Sequence, residues 1–185
     1  MIYLLSYIIY YVLVFIGITL GYHRYFAHKQ FDATPAQEII MLSCGLLCGG
    51  RDPISWAGVH RMHHRFSDTE YDPHPNDWRA LFSIWKVKSV PKRFVSDLYK
   101  NPRVLWFHKY HKRLWIASAI LFLPIIEMWL IIQGLSWIGF GLLNYFGHKN
   151  GKPINRLWLN IIAPFEGNHA DHHAGKQTSL GTIRF

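Results

Sequence analysis

His60-Arg61-Met62-His63-His64 decides how this chain is read. Its three imidazoles fall at i, i+3 and i+4, a spacing that gathers side chains on one side of a helix and aims them at a common point. The same spacing returns in His169-Ala170-Asp171-His172-His173, and His23-Arg24-Tyr25-Phe26-Ala27-His28 carries two more histidines. Eight of the twelve histidines therefore sit in three short boxes. A closed structural zinc site is satisfied by about four ligands, so this number implies two metal ions. Imidazole suits zinc, copper and iron alike, and ligand type alone leaves the ion open.

Whether the boxes can meet depends on the stretches between them. Ile2 to Gly21 contains no charge and as a helix measures about 30 Å, the thickness of the hydrocarbon core, which makes residues 2–22 a first transmembrane helix. Its tyrosines at 3, 7, 10 and 11 suit an interfacial belt or ordinary packing, with packing the default. Beyond the first box (23–28), Thr34 before Pro35 reads as an N-cap with proline in the first turn. The apolar run that follows, Ile39 to Leu47, is too short to cross and ends in Gly49-Gly50-Arg51-Asp52-Pro53, so it is expected to be a re-entrant or interfacial helix. Parity demands this. If it crossed, the boxes at 23–28 and 60–64 would lie on opposite membrane faces.

Residues 65–113 are polar, basic and broken by prolines at 73, 75, 91 and 102, and are expected to form a water-facing helical cap. Leu114 to Tyr145 is apolar and long enough for two spans, 114–132 and 134–147, with a hairpin near Gln133-Gly134 and a kink at Pro124. Two crossings return the chain to its starting side. His148 then emerges beside the boxes as a ninth candidate ligand, and Asn144, four residues earlier, is either a water-mediated ligand or a packed amide. His23 and His28 are five apart, about 140° around a regular helix, so they face different metals or flank a helix distortion.

Composition agrees with this layout. The 185 residues suit one domain, 1–185; half are hydrophobic and 16% aromatic, bunched into long runs. Net charge is +9, yet no Lys or Arg precedes Arg24 and none lies between Leu114 and His148, the segregation expected of positive-inside loops. No recognition helix or stacking motif accompanies the basic residues, which argues against nucleic acid. Cys44 and Cys48 read as reduced thiols in a helix, and no signal peptide is evident. The fold class expected is all-α: an integral membrane protein of about three transmembrane helices, a short re-entrant helix and a cytosolic helical cap carrying the boxes. A His-Glu-x-x-His hydrolase is unsupported because position 61 is Arg, where that chemistry needs a general base. What remains is redox chemistry on a lipid-soluble substrate.

The segments HRYFAH (23–28), HRMHHRFSDT (60–69), N-x-x-x-H (144–148) and EGNHADHH (166–173) resemble the membrane fatty-acid desaturases, specifically the Δ9, acyl-CoA-type group. The likeness runs from about Gly17 almost to the C-terminus. It implies two iron ions at the cytosolic face and insertion of a cis double bond into a saturated acyl chain with O2 and two electrons. By position, His23, His28, His60, His63, His64, His148, His169, His172 and His173 match the family's iron ligands and Asn144 its water-bridged ligand. Ser67-Asp68-Thr69 and Asp72-Pro73-His74 continue the second box, with His74 as a wall of the site. Arg65, Asp68, His74, Lys86 and Lys88 are candidates for touching the substrate or the phosphates of its CoA or lipid carrier. An external donor of ferredoxin or cytochrome b5 type would supply the electrons. The chain departs from the family in fitting one span before His23 where two are usual, and in having Phe165 and Asn168 where a glycine and an aromatic are usual. A related lipid hydroxylase, or a non-catalytic zinc-binding scaffold, are the alternatives.

Overall fold

In the computed structural model, residues 1–75, 77–85 and 89–175 are described, with backbone alone at 83–85. The charge-free N-terminus forms α1 (Ile2–Val14), which runs without a break into a π-helical segment, Phe15–Ala27. The wider winding reaches the first box: His28 N–H donates to the His23 carbonyl at 3.0 Å, the i to i+5 closure of a π turn. Of the two alternatives for this box, histidines facing different metals or a helix distortion, the distortion is the one present.

α2 (Pro35–Leu47) starts where Thr34 and Gln37 form a reciprocal capping box, with proline in the first turn. At 13 residues it is about 20 Å long, short of the hydrocarbon thickness. It lies against the π-helical segment so closely that a Cβ on Gly17 would sit 2.1 Å from the Gly45 nitrogen. α3 (Pro53–Phe66) is capped by the Asp52 carboxylate, which accepts from Ile54 N and Ser55 N, and carries the second box as a regular helix.

The later helices differ from expectation. α4 spans Pro102–Leu121 and α5 spans Ile126–Phe146, so the turn falls at Leu123–Ile125 and not at Gln133-Gly134, and the expected spans 114–132 and 134–147 are replaced. Two facts explain it. Pro124 has no N–H to continue α4 and ends it instead of kinking it. Gln133 is accommodated half-buried in mid-helix because its amide donates to the Leu47 carbonyl and accepts from Trp115 Nε1. α4 also begins in the stretch expected to be cap, and carries Arg103, Lys109, Lys112 and Arg113. Its charge-free end, Leu114 to Leu121, is only about 12 Å long. The helices long and apolar enough to cross a membrane are two, Ile2–Ala27 and Leu123–Phe146, among the described residues. Trp115 beside Gln133 and Ser118 beside Trp129 show that α4 and α5 are antiparallel, so the chain returns to the end it left.

After α5 come a two-residue hairpin, β1 (His148–Lys149) with β2 (Lys152–Pro153), and α6 (His169–His173). The segment between them is tied to the first helix. Tyr7, Tyr10 and Tyr11 hydroxyls donate to the carbonyls of Ile161, Ile162 and Asn160, and Thr19 Oγ1 to that of Pro164. These tyrosines are therefore packed and bonded within the protein, the default reading of their spacing. Tyr10, Val14, Ile18, Tyr22, Leu42 and Ile54 share the core that joins α1, the π-helical segment, α2 and α3. Cys44 and Cys48 are free thiols, as expected.

Candidate metal centre

The histidines converge in two groups that cut across the boxes. His23, His28, His60, His64 and His172 form one, and His63, His148, His169 and His173 the other; within each, one ring nitrogen per residue lies within 4.8 Å of all the rest. Helix geometry makes the division. On α3, His60 and His64 are one turn apart and face the first group, while His63 turns toward the second. On α6, His169 and His173 face the second and His172 the first. The groups meet where the His64 and His173 rings stack, 4.2 Å between centroids.

His23 and His28 join one group and do not diverge as 140° around a regular helix requires. The π turn between them absorbs the fifth residue and brings both imidazoles to one side. His148 lies just past the end of α5, in β1, not on the helix face of Asn144. Both residues line a cavity of about 290 Å³ with Asp68, Lys149 and Arg156.

Three carboxylates tie the far nitrogens. Glu166 takes His23 Nδ1–H at 2.8 Å, Asp72 takes His63 Nδ1–H at 2.9 and 3.0 Å, and Asp68 takes His148 Nδ1–H at 2.9 Å. Each fixes the tautomer that leaves Nε2 with a bare lone pair, the arrangement found behind metal-bound imidazoles. Nε2 atoms then face each other at 2.8 Å in His23–His172, His28–His60 and His64–His172, and at 2.9 Å in His148–His169.

Protonation is suppressed as well. Burial, then the charges of His23 and Arg61, pushes His28 down to about 3. Burial and neighbouring histidines push His64 and His173 down to about 2, and hold His60, His169 and His172 well below the ordinary range. Burial also lowers His148, partly offset by Asp68. His28, His60, His64, His148, His169, His172 and His173 are thus biased toward the neutral form that can offer a lone pair to a metal. His173 Nε2 is buried with no hydrogen-bond partner, an orphan that a cation between the four rings would satisfy. The residues fit two metal ions, and an all-nitrogen, neutral donor set suits iron, copper or zinc.

Of the residues expected near substrate, Asp68 accepts the hydrogen bond from His148 Nδ1 at 2.9 Å. His74 packs its ring edge-on to His63 at 5.0 Å. Arg65 is exposed at the end of α3. Lys86 and Lys88 lie outside the described residues. The sequence reading missed the roles of Glu166 and Asp72, and of Trp56, which stacks on His60 at 5.2 Å. An acid beside a histidine box is the signal that was available for the first two.

No family model matches the chain. It is 30% identical over 188 residues to the sn-1 stearoyl-lipid 9-desaturase of Anabaena variabilis, an alignment covering 90% of this chain and 69% of that protein. It is 31% identical over 186 residues to Delta-9 acyl-lipid desaturase 1 of Arabidopsis thaliana, covering 86% and 60%. With Delta(9)-fatty-acid desaturase fat-7 of Caenorhabditis elegans it shares 28% over 200 residues, covering 90% and 59%. The chain thus spans 59% to 69% of the length of these relatives. A likeness that takes in nearly the whole chain makes this protein a member of the Δ9 fatty-acid desaturase family.

Proposed function

We propose that this protein is an integral membrane, di-iron fatty-acyl desaturase that places a cis double bond, at Δ9, in a saturated acyl chain. The observation that carries the reading is the convergence of nine imidazoles into adjacent groups of five and four. The reaction balances as one saturated acyl chain, O2, two electrons and two protons giving one monounsaturated chain and two waters. Iron in both groups would supply the oxygen activation that an unactivated C–H bond requires and no side chain provides.

The chain's own residues do the rest. His23, His28, His60, His64 and His172 hold one ion; His63, His148, His169 and His173 hold the other, with Asn144 reaching it through water. Glu166, Asp72 and Asp68 keep the imidazoles turned inward. The apolar helices Ile2–Ala27 and Leu123–Phe146 anchor a single multi-pass domain, with the histidines on the cytosolic face beside most of its basic residues. The acyl-CoA or acyl-lipid substrate enters from the bilayer with its polar carrier in water near Arg65. Electrons come from a separate ferredoxin or cytochrome b5 type donor.

Expression in a desaturase-deficient host with lipids profiled by mass spectrometry tests reaction and substrate together. New monounsaturated acyl chains are expected, and purified protein should carry about two iron per chain. Hydroxylated chains alone would select a hydroxylase instead. Zinc without iron, and no new lipid, would leave only a scaffold.

A further inference from the structure

Arg61 stands inside the second box but points away from both histidine groups. Its guanidinium has five N–H donors, and all five are engaged. Nε donates to the Ala27 carbonyl at 2.9 Å and Nη2 to the Phe26 carbonyl at 2.5 Å. Nη1 donates to the Phe94 carbonyl at 2.7 Å, and Nη1 and Nη2 together grip the Asp97 carboxylate at 2.7 and 2.9 Å. Phe26 and Ala27 are the last residues of the π-helical segment, where carbonyls run out of helical partners. Asp97 also pairs with Lys29 Nζ at 2.9 Å. The backbone on both sides of His28 is thus held, from one side by Arg61 and from the other by Lys29 through Asp97. Arg61 directly follows His60, whose Nε2 lies 2.8 Å from that of His28.

From this geometry we infer that Arg61, braced by Asp97, is a positioning residue for the five-histidine metal position: it locks the end of the first box against α3 and so sets the His28–His60 pair. It acts through backbone carbonyls and touches no reacting atom. Lysine cannot replace it, because an ammonium is a point donor that cannot bridge two helix-end carbonyls, a third carbonyl and a carboxylate at once. The four-histidine position takes no residue from the first box, so the effect should be selective.

This inference rests on the two-metal reading, and its test separates the two. Wild type, Arg61→Lys and Asp97→Asn, each the full chain in detergent, are titrated with ferrous iron under chelator competition and separately with cobalt(II), read by its visible absorption. Wild type should bind two ions. Arg61→Lys should keep one at wild-type affinity and weaken the other at least about tenfold, the scale seen when support behind a metal-bound histidine is lost. Asp97→Asn, which leaves the three carbonyl bonds in place, should weaken the same ion by less. Helix content and elution volume report folding. The clamp is refuted if Arg61→Lys binds both ions as wild type does, if both positions weaken equally, or if neither variant folds, since the contacts would then serve the fold at large. A wild type that takes cobalt(II) but no iron would sink the iron reading and leave the clamp to be judged on cobalt.

Discussion

An imidazole that faces a cation needs its other nitrogen tied down, and Glu166 does this for His23 across 143 residues of sequence. Glu166→Gln keeps an acceptor at this place and removes the charge that strengthens the imidazole as a donor of its lone pair. Metal affinity should fall by roughly ten- to a hundredfold, measured by chelator competition, with the fold unchanged. An unaltered affinity would show that the carboxylate only fills space. The same comparison shows what sequence can carry at this scale. The i, i+3, i+4 spacing of His60, His63 and His64 is local, and so is the pairing of His169 and His173; both were legible. The partner of His23 was not: Glu166 stands visibly beside the third box, but nothing local pairs it with a histidine 143 residues earlier. Asp68 was read toward substrate for the same reason: its type is visible in the sequence, but the neighbour that claims it, His148, comes 80 residues later.

Elements are held by side chains that sit at their ends. Glu38, in the first turn of α2, is buried and joins that helix to α4 through Arg103 and Asn101, and to the π-helical segment through Tyr25. Burial alone would raise its pKa, but the bonds from Arg103, Tyr25 and Asn101 outweigh it, and the carboxyl is held below its ordinary value. The sign follows from linkage. The stabilisation is fully present above the unfolded value of about 4.3 and is lost as pH falls from there through the lower folded value. Glu38→Gln lacks it at any pH and should be destabilised by about 1–3 kcal/mol near neutrality. Thermal unfolding in detergent should show the gap between wild type and variant closing on acidification; a gap independent of pH would mean that shape, not charge, matters. Element starts were the legible part: Thr34 with Pro35 marked the start of α2. The turn between α4 and α5 was not, since Gln133-Gly134 looks like a polar break until Leu47 and Trp115 satisfy the amide, whereas Pro124 at the true turn resembles a kink. The π-helical winding was foreseen only as a distortion, inferred from a spacing of five that no regular helix accommodates.

At the scale of the whole molecule, each histidine group draws on stretches far apart in sequence, so an ion bound there would couple its binding to folding. Parity reasoning anticipated that His148 would return to the boxes, and it joins His63, His169 and His173, although the two helices that bring it back have other bounds than expected. The routing of residues 160–166 along α1, on carbonyls held by Tyr7, Tyr10, Tyr11 and Thr19, left no such trace. α6 is the dependent part. It has five residues and no side-chain cap from Asn168, far below the length at which a helix stands alone. Asn155 holds its first turn by accepting from Ala170 N and Asp171 N and by donating to the Asp171 carboxylate, and its three histidines tie it to both histidine groups. Bound metal at about a hundred times its dissociation constant would add about 2.7 kcal/mol per site, and α6 should feel this first. Hydrogen exchange with and without iron should therefore show protection at 166–173 collapsing on chelation while the π-helical segment, packed against α2, stays protected. If α6 remains equally protected without metal, then Asn155 and the tyrosine-held segment before it suffice, and the third box is a preformed platform onto which the ions bind.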